Sequence, residues 1–177
     1  MKSIDNTVFE QIAKNAGVRG RLLRELRFAP EQVADWDERE FIHATDRTGD
    51  KGVLVVEIDG QRYAAPYALT RRVTDKATGR SKPIICDLCY TWRAGGDGAR
   101  IRFVRAGDKH SITLLCCADL VCSSHVRSKT AAAKLSRANL REDMTSEERV
   151  VRLKSKLHGL VELLGLQPLT TAETSTE

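Results

Sequence analysis

Aromatic side chains are scarce in this chain of 177 residues: two Trp, three Tyr and four Phe, 5% of the total. With apolar residues at 41%, there is material for one modest core and not for two large independent domains. A core this thin is expected to need a staple, such as a metal or a partner. Long apolar runs are missing too. No stretch approaches the roughly 18 consecutive apolar residues of a membrane span, and the polar start, residues 1–7, lacks the apolar segment of a signal peptide. A cytoplasmic protein without a membrane role is therefore expected. Also absent are an internal repeat and a Walker or dinucleotide-binding fingerprint. Gly95, Gly96 and Gly98 are followed by neither a helix start nor a Lys in register, so they read as a hairpin loop and not a phosphate cradle. No Ser, His and Asp set or carboxylate pair stands out, and His43, His110 and His158 have no partner at ligand spacing. Nothing argues for an enzyme.

What is present is charge of both signs. Lys and Arg number 29 against 24 Asp and Glu, a formal net charge of +5 with a pI near 9.1. This fits an acidic partner, whether nucleic acid, ribosome or an acidic protein surface, although the signs are mixed along most of the chain and a single basic residue reads by default as solvated surface.

Along the chain, Val8, Ile12, Ala13, Val18, Leu22, Leu23 and Leu26 recur at spacings of three to five, predicting one or two short helices broken near Gly17, an extension over residues 1–30 that packs against the rest. Val53 to Ile58 is a β-branched run, Asp59 and Gly60 a tight turn, and Gln61 to Ala65 the returning strand of a hairpin. Trp36 and Phe41 are available to cover it. Thr70 to Lys82 reads as a basic loop. Ile101 and Phe103 alternate with Arg100, Arg102 and Arg105 up to a turn at Gly107 and Asp108, and a strand from Ser111 to Cys116 completes a second hairpin. From Cys122 to Leu135 the residues favour one helix. Thr145 with Glu148 forms a capping box that opens a further helix, residues 145–165, whose stripe of Val150, Leu153, Leu157, Leu160, Val161 and Leu164 is expected to be core. The polar end, residues 169–177, is expected to be disordered.

Five cysteines in a reducing compartment are a poor disulfide framework, and their odd number leaves one over. Cys86 and Cys89 have the two-residue spacing of a metal knuckle, and Cys117 and Cys122 leave room for a chain turning from a strand into a helix. Together they predict a closed tetrahedral site for one structural zinc ion, with the hairpin between the pairs where a treble-clef finger keeps it. A redox pair at Cys86 and Cys89 is disfavoured because Pro83 precedes it and no helical pattern follows. Either Cys116 or His125 could replace one of the four ligands. Adjacent residues on a strand point to opposite faces, so one of Cys116 and Cys117 should be a buried thiol, and Cys117 is the favoured ligand.

The runs Cys86-Asp87-Leu88-Cys89, Cys117-Ala118-Asp119-Leu120-Val121-Cys122-Ser123, Val126-Arg127-Ser128-Lys129 and Glu147-Glu148-Arg149-Val150-Val151-Arg152-Leu153 resemble the elongation-factor-G-binding proteins. This is the fusidic-acid-resistance (FusB-type) family, whose C-terminal treble-clef domain is called FBP. The resemblance extends from about Trp36 to Leu164. It implies an α+β domain over residues 31–168, with a treble-clef zinc finger at 82–135 flanked by helices. It also implies a non-enzymatic protein, expected to be a monomer, that binds elongation factor G and, in resistance members, helps release it from stalled ribosomes. Arg127 and Lys129, then Arg102 and Lys134, become candidate partner contacts. The resistance members carry a longer helical bundle ahead of the finger, and His125 stands where the family pattern has an aromatic. The alternative is a zinc finger that contacts RNA or DNA through residues 71–80 and 127–141.

Overall fold

The computed structural model describes residues 1–33, 35–104 and 110–169. The expected turn at Gly107 and Asp108, with Arg105, lies outside the described residues, as does all of the expected disordered tail except Leu169. That residue is tied down: its N–H donates to the Arg62 carbonyl at 2.7 Å.

The frame is a five-stranded antiparallel sheet of strands β1 (Phe41–Thr45), β2 (Lys51–Ile58), β3 (Gln61–Arg71), β6 (Gly98–Val104) and β7 (Ser111–Cys117), in that spatial order. The expected hairpin is β2 and β3. Asp59 and Gly60 both adopt positive φ, 50° and 76°, the backbone of the two-residue turn whose twist suits an antiparallel pair. β3 runs on to Arg71, into the segment read as a loop, because Tyr67 to Arg71 pair with Phe103 to Ala99 of β6. Between β1 and β2 the chains are close. A Cβ at Gly52 would lie 2.2 Å from the Ala44 carbonyl and 2.6 Å from the Tyr67 hydroxyl, so only glycine fits there.

Alternation along the strands divides the buried residues into two clusters. One face carries Phe41, Leu54, Val56, Tyr67, Leu69, Ile101, Phe103 and Cys116, packed on Leu153, Leu157, Leu160 and Leu164 of helix α5 (Ser146–Leu164). The other carries Ile42, Ala44, Val53, Val55 and Ala64 under Phe9, Ile12 and Ala13 of helix α1 (Asn6–Asn15), with Leu22 and Leu23 of α2 (Gly20–Glu25) alongside. The Phe9 and Phe28 rings stack at 4.3 Å and Phe28 meets Trp36 edge-on at 6.4 Å, so three of the nine aromatics seal this layer. The N-terminal helices therefore share a core with the sheet. They cover β1, β2 and the start of β3, and leave the same face of β6 and β7 open.

The capping box of α5 is formed in both directions between Thr145 and Glu148, and Gly165 closes the helix at φ 63°. In place of the single helix expected from Cys122 to Leu135, there are two: α3 (Cys122–Val126) and α4 (Ala131–Leu140). The break comes at Ser128, in the left-handed region at φ 57°, after which the Thr130 hydroxyl caps α4 by accepting from Ala133 N–H at 3.1 Å. Arg149 anchors α5 to this corner, donating to the Val126 carbonyl at 2.9 Å and to the Ser128 hydroxyl at 2.8 Å. A two-stranded ribbon of β4 (Ile84–Ile85) and β5 (Trp92–Arg93) carries the first cysteine pair.

Candidate metal centre

Cys86 and Cys89 lie in the turn that joins β4 to β5. Cys86 N–H donates to the Thr91 carbonyl at 3.0 Å and Tyr90 N–H to the Cys86 carbonyl at 2.9 Å, with Tyr90 at φ 61°, so the knuckle is closed by its own backbone. Cys117 is the last residue of β7. The chain then reverses through Leu120, at φ 52°, whose N–H donates to the Cys117 carbonyl, and Cys122 opens α3. Knuckle, hairpin and helix deliver one thiol pair from each side.

All four sulfurs lie within 4.8 Å of one another and all four residues are buried. Sγ of Cys86 is 3.9 Å from that of Cys122, and Sγ of Cys89 is 3.6 Å from that of Cys117. A tetrahedron with zinc–sulfur bonds of about 2.3 Å has edges of about 3.8 Å, so the cage has the dimensions of a four-thiolate zinc site. The thiols perturb each other. Hydrogen bonds from Cys117, Cys122 and Cys86 hold the Cys89 thiol well below its ordinary range. Contacts with Cys117, Cys86 and Cys89, together with burial, push Cys122 well above it. A cation that takes all four as thiolates replaces this competition for protons with coordination. Such a closed set leaves no open position for water, and the ion it holds is structural.

The alternative ligands fall to other roles. Cys116 points to the opposite side of β7 and joins the core with Phe103 and Tyr67, where burial pushes its thiol up. His125 is buried with Nδ1 3.5 Å from Cys117 Sγ and Nε2 3.2 Å from Arg93 Nη1. Arg93 can only donate, so Nε2 accepts and Nδ1 carries the proton toward the sulfur, the arrangement of an imidazole that supports a ligand without being one. Cys117, Asp119 and His125 also come within 4.8 Å of one another. However, Arg93 binds Asp119 at 2.9 Å on the same side, and its charge opposes a second cation there. Neither Arg93 nor Asp119 was singled out from the sequence, since their approach to His125 arises only on folding.

The predicted partner contacts are placed very differently. Arg127 grips the buried Glu40 carboxylate with both terminal nitrogens, at 2.9 and 2.6 Å, and donates to the Ser123 carbonyl at 2.9 Å. Lys129 pairs with Glu38 and Asp35. Lys134 is exposed on α4, and Arg102 is exposed on β6. Among the described residues no helix is long and apolar enough to cross a membrane.

A family model described as the FBP C-terminal treble-clef zinc-finger matches residues 24–164, a stretch that contains every thiol of the cage. No curated protein and no solved structure matches the chain.

Proposed function

Since the chain belongs to the FBP C-terminal treble-clef zinc-finger family, we propose that it is a non-enzymatic cytoplasmic binding protein whose partner is translation elongation factor G. The observation that carries this reading is the family's domain built around a thiolate cage with no open coordination site. Such a site braces a surface and performs no chemistry of its own. The elements around it offer a surface of the kind proteins recognise. Tyr90 directly follows ligand Cys89 and is 41% exposed, with the Arg152 guanidinium 4.5 Å from its ring centre and the Lys156 ammonium 5.9 Å away. Leu135 is 53% exposed on α4, beside Lys134. An aromatic on a rigid turn with cations over its ring, and an exposed leucine beside a lysine on α4, are of the composition of protein hot spots facing an acidic partner.

In this role Arg127 and Lys129 act inside the chain, and Tyr90, Leu135 and Lys134 meet the factor. Binding there displaces the factor from the ribosome by holding a conformation that the ribosome does not accept. The test is titration of the zinc-loaded chain with purified elongation factor G at low salt. Micromolar binding that Tyr90→Ala and Lys134→Glu weaken at unchanged zinc content supports the reading. Absence of binding at that concentration removes it. Release is checked by sedimenting ribosomes stalled by fusidic acid with and without the chain, and a factor content unchanged by the chain rejects the displacement step.

A further inference from the structure

The half of the sheet that α1 and α2 leave bare presents a row running straight across four strands. Lys51 pairs with Ala68, Ala68 with Arg102, and Arg102 with Thr113, so all four side chains share one face. In the next row Thr70 pairs with Arg100 and Arg100 with Leu115. Arg100 and Arg102 are two residues apart on one strand, hence about 6.7 Å apart, and Lys51 stands two strands, roughly 10 Å, to the side.

None of these three cations pairs with a carboxylate among the described residues. The Asp87 carboxylate stands at the β7 edge, where it accepts from Leu115 N–H at 2.6 Å. The rows themselves carry cations and hydroxyls and no carboxylate, on a rigid sheet.

We propose that this face binds the phosphate backbone of RNA without reading its sequence. Guanidinium, ammonium and hydroxyl donors are the groups that hold phosphates. Small side chains such as Ala68 between them let a backbone approach the sheet. A second copy of the chain is excluded as occupant, because like charges would oppose it. An acidic protein is disfavoured because a protein interface centres on buried aromatic or apolar anchors and excludes charge from its middle, whereas here Arg100 and Arg102 hold the middle and the exposed Val104 stands at the end of β6. The lack of an aromatic on the face excludes base stacking, so recognition is of backbone and shape, as for duplex RNA. This surface is separate from the Tyr90 surface and does not depend on what Tyr90 binds.

The experiment is fluorescence anisotropy of the full zinc-loaded chain with a labelled RNA duplex of about 20 base pairs, between about 50 and 200 mM salt. Binding is expected to fall linearly on logarithmic axes. Arg100→Gln with Arg102→Gln should lower the magnitude of the slope by about 2 and weaken binding at least tenfold at 100 mM. Lys51→Gln, which leaves β6 untouched, should lower it by about 1. Zinc content and melting temperature serve as folding controls, and elongation factor G binding should be unchanged. No RNA binding at about 50 mM salt, a slope unchanged in both variants, or loss of factor binding in place of RNA binding each overturns the proposal, the last in favour of an acidic protein on this face.

Discussion

Arg127 offers the sharpest test of how the structure redistributes roles. Glu40 is 5% exposed and its carboxylate receives both terminal nitrogens of Arg127. Arg127→Met removes the countercharge, keeps most of the side-chain volume and strands a carboxylate in the interior. Breaking a buried pair from one side costs about 3 to 5 kcal/mol, a large part of the 5 to 15 kcal/mol typical of a whole domain. At about 2 to 4 °C per kcal/mol for a chain of this size, the melting temperature should fall by roughly 6 to 20 °C. Adding Glu40→Leu removes the stranded charge as well and should recover most of the loss, because an apolar pair of similar volume is close to neutral or better in such sites. Urea unfolding of the zinc-loaded wild type, both single variants and the double variant closes the cycle. A loss below about 1 kcal/mol for Arg127→Met, or a double variant no better than the worse single one, would refute the account and return Arg127 to the surface.

Cys86→Ser should abolish binding of the zinc ion and, because the four thiols belong to the same cluster as Leu153 and Leu157, should reduce helical circular dichroism; a fully folded metal-free variant would contradict this. Cys116→Ala should keep one zinc per chain by atomic absorption, whereas Cys117→Ala should lose it. Burial holds the His43 imidazole down to about 4, so it stays neutral in the fold while the unfolded form titrates near 6.5. The stability this contributes is intact above pH 6.5 and is lost as the pH falls toward 4, about 3 kcal/mol in all; an NMR titration midpoint near 6.5 would rule this out. Gly52→Ala should cost several kcal/mol by forcing β1 and β2 apart, measurable as a lower urea midpoint, and a neutral result would mean the strands part easily.

The parts of this fold that could be read in advance are those whose cause is local. The capping box at Thr145, the Asp59-Gly60 turn and the two cysteine spacings each act within a few residues, so the chain states them directly. Strand β1 escaped notice because Phe41 to Thr45 is short, follows a run of charges and owes its form to pairing with β2. The interruption between α3 and α4 was equally hidden. The residues of that stretch favour helix, and the left-handed Ser128 is held by tertiary bonds, since both Arg137 and Arg149 donate to its hydroxyl.

Charged residues were the hardest to assign, and for one physical reason. A lone Arg in a polar stretch has surface as its default, and only a partner distant in sequence can override it. Arg127 finds Glu40 87 positions away, Arg149 finds the carbonyl that ends α3, and Arg93 bridges Asp119 and the imidazole beside a zinc ligand. Between them they tie the elements around the thiolate cage to the start of β1 and to α5, where aromatics are too few to do so. Arg100 and Arg102, by contrast, lie on the half of the sheet that α1 and α2 do not reach and meet no carboxylate among the described residues. In a chain with so thin an interior, an arginine becomes structural where folding brings it a buried acceptor, and stays free for a partner where the sheet face above it is left bare.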